Sequence, residues 1–83
     1  MKDKNVNELV KALLEAKSPE GVLDLLKGLL TVKELDEIAR RLQIVKMLKA
    51  GVSQREIVEK LNVGIATVTR GSKELKNGRF KNI

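Results

Sequence analysis

From Asn5 to Lys17 the apolar residues Val6, Leu9, Val10, Leu13 and Leu14 recur at i, i+3, i+4, i+7 and i+8, one stripe of an amphipathic helix. Residues 1–4 ahead of it are polar and expected to fray. Ser18-Pro19-Glu20 supplies an N-cap, a proline suited to the first helical position and an early acid, so a second helix begins there. Its stripe is Val22, Leu25, Leu26, Leu29 and Leu30. Thr31 followed by Glu34 is a capping box that opens a long third helix, from Val32 to about Lys49. Leu35, Ile38, Ala39, Leu42, Val45 and Leu48 run along one side of it. The two N-terminal helices are too apolar on one face to stay unpaired. They form either intramolecular core or a dimer interface, and the dimer is expected because the chain is otherwise short of core.

Gly51 and Val52 lead to a second capping box, Ser53 with Glu56, so a short helix starts at Gln54. Ile57, Val58 and Leu61 form its buried face, while Arg55, Glu59 and Lys60 face water. Asn62 accepts the left-handed cap conformation, which makes Asn62-Val63-Gly64 a three-residue turn. The last helix runs from about Ile65, with Val68, Gly71 and Leu75 on one face and Thr67, Thr69, Arg70, Lys73 and Lys76 off it. Asn77-Gly78 reads as its stop, and Arg79 to Ile83 is a short basic tail. The fold class is therefore all-α: five helices in one domain over residues 1–83, ending in a helix-turn-helix whose second helix enters the DNA major groove.

Composition sharpens this picture in three ways. Eighty-three residues with Phe80 as the only aromatic leave a core of Leu, Val, Ile and Ala, which is thin for a monomer. The sequence has no Cys and no His, and no acidic pair interrupts an apolar stripe. Disulfides, thiolate chemistry, the common zinc sites and enzymatic acid–base work are thereby set aside, and no metal or catalytic residue is expected. No apolar run reaches membrane-span length and the N-terminus lacks a signal-peptide core, so the default location is the cytoplasm. Charge is unevenly placed: residues 1–39 hold 6 Lys/Arg against 8 Asp/Glu, net −2, and residues 40–83 hold 11 against 3, net +8. The basic half coincides with the helix-turn-helix, which points to nucleic acid.

A recognition helix needs small or polar side chains at its N-terminal end so that its backbone can approach base edges. Here that end is Gly64 leading into Ile65-Ala66-Thr67. Ile65 or Ala66 can touch a thymine methyl and Thr67 can offer its hydroxyl, while Thr69, Lys73 and Lys76 sit nearer the phosphates. Gln54 and Arg55 lie beside the free amides of a helix N-terminus, a natural seat for a phosphate. Gly71 is the odd residue of this helix. Glycine inside a helix costs about 1 kcal/mol relative to alanine, so either another helix packs closely there or a ligand needs the space.

SQRE and GIATVTRGSKELK, with the upstream LLTVKELDEIARRLQIVKMLKAG, resemble the Trp repressor superfamily over roughly Leu29 to Lys76. The resemblance implies an intertwined homodimer that binds double-stranded operator DNA through the residues just named. It also implies L-tryptophan as corepressor, with no other cofactor. The indole would be sandwiched by Arg41 and Arg70, with Gly71 below it, Leu30 and Thr31 near its amino group and Val45 lining the pocket. Stacking of guanidinium planes on an aromatic ring, and bidentate capture of a carboxylate, suit that role. Val58 departs from the family by replacing a lysine that contacts DNA in enteric repressors. Gly28 and Glu74 replace an apolar pocket residue and a serine that serve the ligand, and Glu74 would repel a carboxylate if it pointed inward. The turn before Ser53 is one residue shorter, a feature shared with the short Trp-repressor-like proteins of the YerC/YecD type. Family members usually continue into a last helix that completes the dimer, whereas only seven residues follow Lys76 here. A regulator that ignores tryptophan or takes another effector is the alternative within this class. A helical protein-interaction module whose basic face meets an acidic partner is the alternative outside it.

Overall fold

A computed structural model describes residues 3–83, which form α1 (Asp3–Glu15), α2 (Pro19–Leu29), α3 (Val32–Lys49), α4 (Gln54–Leu61) and α5 (Ile65–Lys76). The last three match the bounds that the sequence predicts. α1 starts two residues before the expected Asn5 and stops two before Lys17, so Asp3 and Lys4 are helical rather than frayed, and the rest of that expectation falls on Met1 and Lys2, outside the described residues. Asp3 in the first turn favours the early start by meeting the positive end of the helix dipole. The stop is set by Pro19, which drives Ser18 to an extended conformation (φ −128°, ψ 156°).

Contacts divide the chain into two compact units, Met1–Leu35 and Asp36–Ile83. In the first, Ser18 Oγ accepts from the Gly21 N–H at 3.0 Å to cap α2. The Thr31 box is fully reciprocal: Glu34 N–H donates to Thr31 Oγ1 at 3.1 Å and Thr31 N–H to Glu34 Oε1 at 2.9 Å. No described residue of α1 or α2 is buried. Leu14 is 75% exposed and Leu29 58%, so the stripes that look like core are largely open to solvent.

The second unit holds the core, Ile44, Ile57 and Val68, each at most 1% exposed, with Met47, Leu48, Val52, Val58, Leu61 and Val63 packed around them. Here the expected stripe of α3 is corrected. Ile38 and Leu42 are 47% and 41% exposed, while Ile44, absent from that stripe, is buried. At 100° per residue, Arg41, Ile44, Val45 and Leu48 form a second i, i+3, i+4, i+7 row, turned away from Ile38 and Leu42. This row faces α5, as the approach of Ile44, Val45 and Leu48 to Gly71 records.

α4 and α5 make the closest helix pairing among the described residues. Ser53 caps α4 by accepting from Glu56 N–H at 3.2 Å, but only half of the predicted box forms, because the Glu56 carboxylate pairs with Lys60 at 3.1 Å instead. Asn62 takes the left-handed conformation (φ 53°, ψ 51°), and Val63 N–H returns to the Val58 carbonyl, closing the turn. α5 ends as expected: Gly78 has φ +90° and Arg79 N–H bonds the Glu74 carbonyl. The tail is then tied to α3, with Lys49 Nζ donating to the carbonyls of Phe80 and Ile83.

Candidate nucleic-acid interface and effector hollow

α5 presents two working faces that meet at Arg70. Ala66, Thr69, Arg70, Lys73, Glu74 and Asn77 recur at helical spacing and line one shallow trough along its outer side. Ile65 is 55% exposed, and Ala66, Thr69, Lys73 and Lys76 are exposed as well, so the residues assigned to DNA share a single open surface. Thr67 is the exception, half-buried and turned toward α3. Gly64 caps α5 with an extended backbone (φ −74°, ψ 148°) and no side-chain hydrogen bond. That leaves the leading amides of the helix uncovered at the end where a base edge or phosphate would approach.

Gln54 and Arg55 occupy the first two positions of α4, Gln54 half-buried and Arg55 exposed. Gln54 is drawn to the recognition helix: Thr69 Oγ1 donates to its Oε1 at 3.0 Å. The sequence assigns both residues to DNA, and the structure adds that they are joined to each other. Val58, where enteric repressors place a DNA-contacting lysine, is half-buried against the core, so an apolar residue there adds to packing instead.

On the neighbouring side of α5, Arg41, Ile44, Val45, Thr67, Arg70 and Gly71 line a small, partly open hollow of about 40 Å³. Four of these, Arg41, Val45, Arg70 and Gly71, belong to the expected ligand set. Ile44 and Thr67 are additions. The signal for Ile44 was its place three residues after Arg41 on the row that faces α5. The remaining two of the set, Leu30 and Thr31, are not among the lining residues; Leu30 is the C-cap of α2, and Thr31 is engaged with Glu34. Both arginines are exposed, and neither makes an ion pair or hydrogen bond among the described residues. Two guanidinium groups flanking an apolar floor can hold a planar, negatively charged molecule by stacking and by charge. Arg70 borders both the hollow and the outer trough.

Two questions raised by the sequence are decided here. A Cβ built on Gly71 would meet Ile44 Cγ2 and Leu48 Cδ1 at 3.5 Å and Val45 Cγ2 at 4.0 Å, ordinary contact distances. Close helix packing therefore does not by itself demand glycine at this position. Glu74 does not line the hollow; it turns to the outer side of α5 and pairs with Arg79 at 3.5 Å.

Known proteins similar to this chain point to one family. The family model described as Trp repressor protein matches residues 4–82. A Trp operon repressor homolog from Vibrio vulnificus (strain YJ016) is 44% identical over 70 residues, covering 83% of this chain and 66% of the relative. The homolog from Vibrio cholerae is 41% identical over 73 residues, 87% of this chain and 68% of the relative. That from Mannheimia succiniciproducens is 54% identical over 54 residues, 64% and 54% respectively. The chain thus spans about two thirds of the length of the first of these relatives. No solved structure matches it.

Proposed function

The chain belongs to the Trp repressor family, a family of transcription regulators rather than enzymes, and on that premise we propose that it is a cytoplasmic repressor. As a homodimer it binds double-stranded operator DNA with α5 in the major groove, and L-tryptophan acts as corepressor in the Arg41–Arg70 hollow. The observation that carries this reading is the two-faced α5, with an open basic surface on one side, an arginine-flanked hollow on the other, and Arg70 at the border. A ligand stacked on Arg70 bears directly on the helix that meets DNA. Its binding and operator binding then share one coupling free energy, so each tightens the other by the same factor.

The homodimer is supported by the uncovered α1 and α2 stripes, on which Val6, Leu9, Val10, Leu14 and Leu29 are 39–75% exposed. A dimer would place two α5 helices on half-sites about 34 Å apart, the general geometry of dimeric helix-turn-helix proteins, the Trp repressor among them, rather than a distance measured on this chain. No described helix is long and apolar enough to cross a membrane. The test is titration of a duplex, selected from a random library on the immobilised protein, followed by fluorescence anisotropy with and without L-tryptophan. Affinity that rises with L-tryptophan supports both parts. Affinity indifferent to it removes the corepressor and leaves the DNA-binding reading standing.

A further inference from the structure

Glu74 is the one carboxylate among the residues lining the outer trough of α5, whose other charged residues are Arg70 and Lys73. A bare carboxylate on a surface that takes phosphate would repel it by like charge, and this one is not bare. Arg79 Nε lies 3.5 Å from Glu74 Oε1, so a guanidinium from the tail stands at the edge of the trough. Contact through Nε leaves both Nη nitrogens without a hydrogen bond or ion pair among the described residues. That fork is the part of arginine that matches two phosphate oxygens. The Arg79 side chain is 74% exposed, against 36% for Glu74, so it is the outer member of the pair.

The backbone around Arg79 is held on both sides. Gly78 takes the left-handed conformation (φ +90°), which lets its N–H bond the Leu75 carbonyl and the Arg79 N–H bond the Glu74 carbonyl, each at 3.0 Å. These are the two bonds of a Schellman helix end. Beyond it, Lys49 Nζ donates to the Phe80 and Ile83 carbonyls, and Ile83 N–H returns to the Phe80 carbonyl at 3.2 Å. An arginine set on a turn tied in this way gives up less conformational freedom on binding than one on a loose tail.

We infer that Arg79 is a further contact to the phosphate backbone of DNA, carried past the end of the recognition helix by the Gly78 turn and aimed by Glu74. This rests on the DNA-binding reading above and extends its surface beyond Lys73 and Lys76 to a residue that the sequence places in the tail. Glu74 acts as a positioning residue, oriented toward the guanidinium and not toward the hollow. A contact of this kind fixes the protein on the duplex and reads no base.

The experiment is a salt titration of the full chain with the selected duplex and with a scrambled one, read by fluorescence anisotropy, with thermal unfolding of each variant run alongside. Arg79→Ala keeps the N–H that closes the helix end, so the fold is retained. It should lower the slope of log affinity against log salt by about 0.9 for each chain on the duplex. Carried over the decade from 1 M to 0.1 M salt, that slope is a loss of about eightfold. The loss should be the same on both duplexes. Glu74→Gln should recover part of the affinity of the Arg79→Ala chain, where the carboxylate is bare, and change the wild-type chain less. Lys60→Ala removes an exposed cation paired with Glu56 on α4 and is the control for net charge, with an expected loss below about twofold. Arg79→Ala at the wild-type slope, a loss confined to the selected duplex, or an equal loss in Lys60→Ala overturns the inference while DNA binding survives. A wild-type chain without saturable, salt-sensitive binding to any duplex overturns both.

Discussion

Gly71→Ala separates the stability of α5 from the use of the hollow beneath it. The position is helical, and the added methyl would touch Ile44 Cγ2 and Leu48 Cδ1 at 3.5 Å, which is contact without clash. Alanine gains about 1 kcal/mol of helix propensity over glycine. A methyl lodged against Ile44 and Leu48 adds up to about 0.8 kcal/mol of apolar burial. Together they stabilise by roughly 1–2 kcal/mol, and each kcal/mol raises Tm by about 4–8 °C in a domain of this size. The same methyl raises the floor of a hollow whose lining includes Gly71, where an inserted group costs a ligand about 1–3 kcal/mol, roughly 5- to 150-fold in affinity. Thermal unfolding followed by circular dichroism reads the first effect and calorimetry with L-tryptophan the second. A fall in Tm would refute the spacing of α3 and α5. A rise in Tm with unchanged ligand heat would refute the placement of the ligand over Gly71.

Ile57 is fully buried between α4 and the rest of the core, so Ile57→Ala should destabilise by about 2–5 kcal/mol in urea unfolding, and a loss below about 1 kcal/mol would mean that this core is not the one that holds the unit together. Gly64→Asp meets no atom within 4 Å and supplies α5 with a side-chain cap, for a gain of a few tenths of a kcal/mol. The new carboxylate would face DNA phosphates at the leading end of α5, so duplex affinity should drop by tenfold or more in an anisotropy titration. Unchanged affinity would place that end of the helix away from DNA.

Much of this protein was legible because its signals are local. The caps at Ser18, Thr31 and Ser53, the proline at the start of α2 and the left-handed Asn62 act within three or four residues, and all stand where the sequence puts them. The face of α5 assigned to DNA was legible for the same reason, since helical spacing alone groups Ala66, Thr69 and Lys73. Where prediction missed, two chemically adequate partners competed for one group. Glu56 could return to the Ser53 amide or pair with Lys60, and the lysine one turn along the helix holds it.

The sequence alone settled the number, type and nearly all the bounds of the helices, because each is specified by its own spacing and caps. Tertiary structure decided which side of each helix is used. α3 carries two apolar rows that both satisfy helical periodicity, and only its packing against α4 and α5 selected Ile44, Val45 and Leu48 over Ile38 and Leu42. That choice brings Arg41 to the hollow beside Arg70 and Gly71. Packing likewise set Thr69 against Gln54, fifteen residues away, and turned Glu74 out to Arg79. Periodicity fixes angles around one helix axis and carries no information about a second helix, so partners across helices become known only when the helices meet.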